Sequence, residues 1–298
     1  MSKHKVFFNA EKHRYYDEVG TVFTSVTTVI GKYYEKFDTQ DMARRCADIG
    51  TQPSHPKYAR YAGKTQQQLL NEWAATSKKA TDTGTAKHNW LEEAIKACTQ
   101  FEGHTEDERL FTAEDITNNG TLDVPLFLTT AAAKYPQVCE FVAELANQGF
   151  RFFAEICVFS LEYGVSGLID LLAVNDKGEF IIIDWKTNKA DIRYDSGYFA
   201  KDDDGQLTNR FVLTDKHMLE PLGALNDSVG TKYNLQISTY AWLLEKFGYQ
   251  NLKDKNVIFQ IRAAPEGETL EQVNLIRLQN YSRNAGAMIK HHAEAQIE

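Results

Sequence analysis

The chain has 298 residues, 43% hydrophobic and 25% charged, enough for one large domain or two modest ones with a substantial core. Six prolines and no low-complexity tract argue against long disordered linkers, and no run of eighteen apolar residues offers a transmembrane helix. A formal charge of -8 disfavours indiscriminate polyanion binding, yet the first hundred residues hold more Lys and Arg than Asp and Glu, which leaves room for a local basic groove.

The opening MSKHKVFFNAEKHRYYDE has no apolar signal core and no small-residue cleavage site, so a cytoplasmic location is expected. Residues 5–9 and 13–24 read as short strands with a turn at Gly20. The segment 25–37 opens on Ser/Thr caps and enters a helix whose extent Gly31 leaves open. A polar helix at 39–49 carries Arg44 and Arg45, either a solvated face or phosphate contacts. Lys57, Arg60 and Lys64 lead into a helix at 65–78, where Trp73 reads first as a core anchor. The run Thr81-Asp82-Thr83-Gly84-Thr85 predicts a break, with a new helix from near Thr85. On that helix His88, Leu91, Glu92 and Ile95 share one side. Residues 101–124 are polar and irregular, an exposed excursion or a connection. Helical spacing resumes over 128–147 through Tyr135, Val138, Phe141, Val142 and Leu145, and Gly149 stops it. The cysteines Cys46, Cys98, Cys139 and Cys157 lie far apart and read as buried or incidental thiols.

From 151 the period changes. RFFAEICVFS predicts a strand covered on both faces, with Glu155 as its polar exception: an ion-pair partner, a surface carboxylate, or an acid of a metal site. Residues 167–186 then form a hairpin about the turn Asn175-Asp176-Lys177-Gly178. Asp170 interrupts its first apolar run, and Asp184 ends its second two residues before Lys186. Residues i and i+2 of a strand share a face, so Asp184 and Lys186 project together, and the hairpin can bring Asp170 beside them. Two carboxylates and an ammonium at the end of an apolar sheet are costly to desolvate. A divalent cation on the carboxylates, with the lysine beside a bound water, compensates best. Residues 187–230 are the hardest to decipher. Lys201-Asp202-Asp203-Asp204-Gly205 lacks the EF-hand pattern, and a flexible surface insertion or lid is expected. A helix at 232–247, strands at 257–262 and 271–277 and a helix at 282–296 complete an α/β pattern.

Several of these residues, in their order and placement, resemble the PD-(D/E)XK nuclease superfamily, and within it the RecB-like exonuclease branch. They are Gly84-Thr85 with His88, Glu155, Gly167 through Asp170, Asp184-Trp185-Lys186, and Gln236 with Tyr240 four residues later. Ser25-Val26-Thr27 also looks like the amino-terminal segment of phage-encoded members. Leu168-Ile169 stands before Asp170 in place of the proline of the superfamily's name, and the RecB-like branch commonly has this G-x-x-D form.

The resemblance implies a restriction-endonuclease-like core, a central mixed β-sheet flanked by helices, over 126–298. An amino-terminal helical portion over 1–125 would help build a DNA channel. It implies Mg²⁺ or Mn²⁺, as one or two ions, on Asp170, Asp184, the Trp185 backbone carbonyl and His88, with Glu155 supporting directly or through water. Lys186 would orient the attacking water, and Gln236 and Tyr240 would position the backbone or the lysine. The cysteines do not supply the late iron–sulfur cluster of some members, so none is expected. The implied activity is hydrolysis of DNA phosphodiesters, as an exonuclease on linear or single-stranded DNA. A structure-selective endonuclease and a catalytically weak nucleic-acid-binding module are the alternatives. Arg44, Arg45, Lys57, Arg60 and Lys64 are the phosphate-contact candidates, and Trp73, Tyr33 and Tyr34 the base-stacking ones. A stand-alone recombination, repair or DNA-degradation enzyme of a bacterial cell, or of a phage in its host's cytoplasm, would follow, with a recombination or replication protein as its partner. Motifs of Ser hydrolases, P-loop NTPases and zinc proteases are absent from the sequence.

Overall fold

A computed structural model describes residues 6–9, 14–100, 120–202, 205–264 and 270–296. Three short strands, β1 (Val6–Asn9), β2 (Arg14–Asp17) and β3 (Val22–Ser25), run into helix α1 (Val26–Ile30), which Ser25 caps by accepting from the Thr28 N–H. Helices α2 (Thr39–Ile49), α3 (Tyr58–Tyr61) and α4 (Gln66–Ala97) follow. After the small pair β4 (Thr99–Gln100) and β5 (Thr121–Leu122) come α5 (Val124–Ala131) and α6 (Pro136–Asn147). The expected irregular segment falls mostly at 101–119, outside the described residues. Strands β6 (Arg151–Ser160), β7 (Val165–Val174) and β8 (Glu179–Lys186) form the meander at the centre. A projecting hairpin, β9 (Gly197–Lys201) and β10 (Leu207–Leu213), precedes α7 (Val229–Glu245). The chain ends through β11 (Gln250–Asn251), β12 (Val257–Arg262), β13 (Gln272–Arg277) and α8 (Ser282–Glu294).

Among the described residues the main sheet has the order β1-β2-β3-β7-β8-β12-β13, with β6 beside β7 and β11 beside β8. It is mixed: β3 is parallel to β7 and β12 to β8, whereas β6, β7 and β8 are antiparallel. Alternation along the strands divides the core between two faces. Val174, Phe180, Ile182 and Ile258 pack against Ile237 and Leu244 of α7 and Met288 and Ile289 of α8. Ala173, Ile181, Ile183 and Phe259 pack on the other face against Leu91 and Ile95 of α4 and Val138 and Val142 of α6. The fold is therefore the expected α/β sheet between helices. No described helix is long and apolar enough to cross a membrane.

Two expectations are corrected. The break at Thr81–Thr85 does not occur: α4 is one helix of 32 residues, opened by a capping box between Thr65 and Gln68. A glycine inside a helix costs about 1 kcal/mol relative to alanine, which packing at both ends of α4 outweighs. Gly84 instead marks a close approach, since a Cβ there would lie 2.6 Å from Thr187 Oγ1. Conversely, the helix expected over 128–147 is two. Tyr135 leaves helical geometry (φ -130°, ψ 63°) and Pro136, having no N–H to give, begins α6. The hairpin turn stands as read, with Gly178 at φ 75° and Asn175 Oδ1 accepting from the Lys177 and Glu179 N–H groups. All four cysteines are buried free thiols.

Candidate active site

The central strands separate where the sequence turns polar. β7 and β8 pair from Val174↔Phe180 to Leu171↔Ile183, and beyond that the same edge of β7 pairs instead with β3, at Val165 and Ser166. Residues 167–170 therefore line a fork between β3 and β8. One step past Leu171↔Ile183, the register sets Asp170 opposite Asp184. On the other edge the pairs Ala154↔Leu171 and Ile156↔Ile169 frame Glu155 opposite Asp170. Three carboxylates thus stand in one row across β6, β7 and β8. Cross-strand neighbours share a face, so the row gathers their charge. Glu155 reaches its place with φ 53°, a left-handed conformation that costs a residue with a Cβ about 1 kcal/mol or more.

The open edge is satisfied by side chains. Asp170 Oδ2 accepts the Trp185 N–H at 3.1 Å, replacing the lost ladder bond. A strand residue points its N–H and C=O to the same edge, so the Trp185 carbonyl is also directed into the fork. The Trp185 indole stays buried, stacked near Phe259. Lys186 Nζ lies 2.5 Å from Asp184 Oδ2, as the i, i+2 spacing requires.

Helices close the site from two sides. His88, on α4, meets Asp170 Oδ2 through Nε2 at 3.2 Å, and Glu92 Oε2 stands 3.8 Å from its Nδ1. On α7 the Gln236 amide donates to the Tyr240 hydroxyl at 2.9 Å. The Tyr240 ring lies so close over Gly167 that a Cβ there would be 2.2 Å from its Cε1. Glycine at 167 is thus the condition for this ring to reach the fork.

The electrostatics follow from burial and mutual repulsion. Burial, then the charges of Asp170 and Glu92, push Glu155 up to about 8. Burial and Asp170 raise Asp184 to about 6 against the pull of Lys186. Asp170 is held below its ordinary value because the His88 hydrogen bond and the charges of His88 and Lys186 outweigh its burial. The bond to Asp170 lifts His88 to about 9 against its own burial. Lys186, although burial lowers it, is held firmly protonated by Asp184 and Asp170.

Lys186 and His88 are thus the counter-ions of this arrangement. Among the described residues no group of three or more His, Cys, Asp and Glu side chains stands together as a metal-holding cluster. The donor set nevertheless suits a hard cation on one specific observation. The Asp184 carboxylate is buried, with the Lys186 ammonium 2.5 Å from its Oδ2, and it stands across the fork from the Asp170 carboxylate. A buried carboxylate beside a second carboxylate and an inward-pointing carbonyl is a place where a divalent ion would be held.

Three residues with no role read from the sequence complete the site. The Tyr233 ring lies 5.1 Å from Lys186 Nζ, and its hydroxyl donates to Asn188 Oδ1 at 2.7 Å. The buried Gln260, in register with Lys186 on β12, donates to the carbonyls of Asn188 and Ala190 at 2.9 and 2.7 Å. Only the position of Tyr233 three residues before Gln236 could have pointed to it.

The outlying candidates fare differently. Arg44 and Arg45 are paired with Asp41, Lys64 with Glu72, and Arg60 reaches Asp202. Tyr33 is buried, its hydroxyl donating to the Met288 carbonyl, which corrects its reading as a base-stacking ring. Tyr34 lies under Lys232, and Trp73 packs beside Leu69 and Cys46.

Comparison with protein families gives a match to the model described as the PD-(D/E)XK nuclease superfamily over residues 58–297, most of the chain and all of the site. Comparison with curated proteins gives no match.

Proposed function

The chain belongs to the PD-(D/E)XK nuclease superfamily, and we propose that it is a divalent-metal-dependent DNA exonuclease of the RecB-like kind, acting on DNA ends or single strands. The observation that carries this reading is the carboxylate row ending at Lys186, with the Asp184 carboxylate buried and the Lys186 ammonium 2.5 Å from its Oδ2. Asp170, Asp184 and the Trp185 carbonyl would hold Mg²⁺ or Mn²⁺, with His88 and Glu155 beside them. When bound, the ion supplies positive charge to the phosphoryl oxygens and lowers the pKa of its water. Asp170 would hold the ion in place of its bond to His88, and His88 would serve as a ligand only as a neutral imidazole.

The chain's own groups do the rest by placement and charge. Lys186, a firm cation, donates to the attacking water and offsets charge that develops on the phosphate. Tyr233 and Asp184 hold the ammonium between ring and carboxylate. Tyr240, which burial keeps protonated, remains a neutral donor at the edge of the fork, held by Gln236. Recombination, repair or DNA degradation, with a recombination or replication protein as partner, is the setting this chemistry would serve.

The test is a digestion series on end-labelled linear and closed circular DNA with Mg²⁺, Mn²⁺ or a chelator. Linear DNA should be degraded from its ends with either metal and spared with the chelator. Lys186→Ala should abolish cleavage while retaining the native circular dichroism spectrum. Absence of cleavage of every DNA by folded protein, or full activity in Lys186→Ala, would overturn the reading.

A further inference from the structure

Where β8 ends at Lys186, one buried side chain sets the course of the chain that follows. Strands β8 and β12 stay in register from Ile183↔Val257 to Lys186↔Gln260. Gln260 is 1% exposed at that last pair, on the same strand face as the core residue Ile258. A buried amide is costly unless its donors and its acceptor are met. Here Nε2 donates to the carbonyls of Asn188 and Ala190 at 2.9 and 2.7 Å, and Oε1 accepts from Arg262 Nη2 at 3.0 Å. Two carbonyls on one side and a cationic donor on the other leave the amide a single orientation. It ties down residues 188 and 190 after they have left the strand.

The tie reaches back to the lysine through Asn188. Its Oδ1 accepts from the Tyr233 hydroxyl at 2.7 Å, and the ring of that tyrosine lies 5.1 Å from Lys186 Nζ. Asp184 Oδ2 stands 2.5 Å from the same ammonium. A carboxylate by itself fixes the distance of a lysine nitrogen and leaves the flexible stem free to swing about the contact. The ring adds a second boundary, and it is aimed by a hydroxyl whose acceptor Gln260 holds in place. A methionine, similar in length and volume, would fill the position of Gln260, so packing alone does not account for an amide there.

We infer that Gln260 is a positioning residue for Lys186: through Asn188 and Tyr233 it holds the ammonium where it meets the attacking water, without itself touching DNA. The inference rests on the nuclease reading above and adds to it a residue from a strand outside the carboxylate row. Misplacement of a reacting group by about 1 Å costs on the order of 10²-fold in rate. A slack tie should therefore show in turnover and leave binding of DNA intact.

The test compares Gln260→Met, Asn188→Ala and Tyr233→Phe with the parent. Lysines labelled with an NMR-active carbon at Cε report position without metal or DNA, because a ring face shifts the methylene protons beside it upfield. The Lys186 signal is identified by its loss in Lys186→Arg. In the parent it should lie upfield of lysines remote from any ring. In Gln260→Met and Asn188→Ala it should move back towards those lysines, although the Tyr233 ring is still present. Both variants should lose about 10²-fold in kcat on linear DNA with KM unchanged. Tyr233→Phe breaks the same bond from its other end, so it should match Asn188→Ala and add nothing to it. Should Gln260→Met not fold, Gln260→Asn keeps the amide but shortens its reach and should move the signal the same way. An unmoved Lys186 signal or undiminished kcat in the Gln260 variant would overturn the inference, as would a loss confined to KM. If no protein cuts any DNA, the nuclease reading fails, and the lysine signal still decides whether Gln260 places the ammonium.

Discussion

Gly167→Ala tests the packing that brings α7 to the fork. The new methyl would sit 2.2 Å from Tyr240 Cε1 and 2.9 Å from Cδ1 and Cζ. Carbon atoms rest at about 3.5–4.0 Å, so the ring must retreat by more than about 1 Å. It has little room, being 4% exposed and tied through its hydroxyl to Gln236. Overpacking of this kind costs about 1–3 kcal/mol, and at ~2–4 °C per kcal/mol a mid-range cost lowers Tm by roughly 4–8 °C. Urea melts of Gly167→Ala, Tyr240→Leu and the double variant make the assay. In the Tyr240→Leu background the methyl meets no ring, so its cost should fall to about 0.5 kcal/mol or less, a coupling of about 1–2 kcal/mol. Cleavage by Gly167→Ala should be reduced at temperatures where it is fully folded. An equal cost of the methyl in both backgrounds would refute the reasoning.

Other outcomes are expected. Gly84→Ala should be close to neutral in a urea melt, because the helix gains about 1 kcal/mol while Thr187 turns its hydroxyl away. With Thr187→Ala added, the gain should appear in full, and a large loss in both would restore the idea of a helix break. Glu271 ties two elements together, meeting Lys87 Nζ at 2.8 Å and accepting from Tyr135 at 2.6 Å. Its burial is outweighed by those partners, which hold it below its ordinary value. A lowered folded pKa gives stability that is complete above the unfolded value, about 4.3, and is lost as pH falls through the folded one. Glu271→Gln should therefore be about 1–2 kcal/mol less stable than the parent at pH 7, with the gap closing below about pH 4.3 in thermal melts. A constant gap from pH 7 to pH 3 would count against that pair. Native protein should resist thiol reagents, since burial pushes Cys139 up to about 11 and Cys157 higher still. All four thiols should react in denaturant, and rapid labelling of native protein would contradict their burial.

The amino-acid sequence by itself determined whatever follows from a short covalent period. Asp184 and Lys186 had to share a strand face, Gln236 and Tyr240 had to share a helix face, and Asn175–Gly178 had to turn the chain between two buried strands. Resemblance to a family added the order of the elements. The tertiary structure alone decided the rest, because it depends on pairings between distant segments. The change of partner along one edge of β7, from β8 to β3, opens the fork, and two registers of antiparallel strands bring Glu155, Asp170 and Asp184 into one row. The passage of α4 straight through Gly84 could not be read locally, since the residues that break isolated helices are overruled by anchoring at both ends. Tyr233, Asn188 and Gln260 escaped notice for the same reason: what they do is set by a lysine that only the folded chain places beside them.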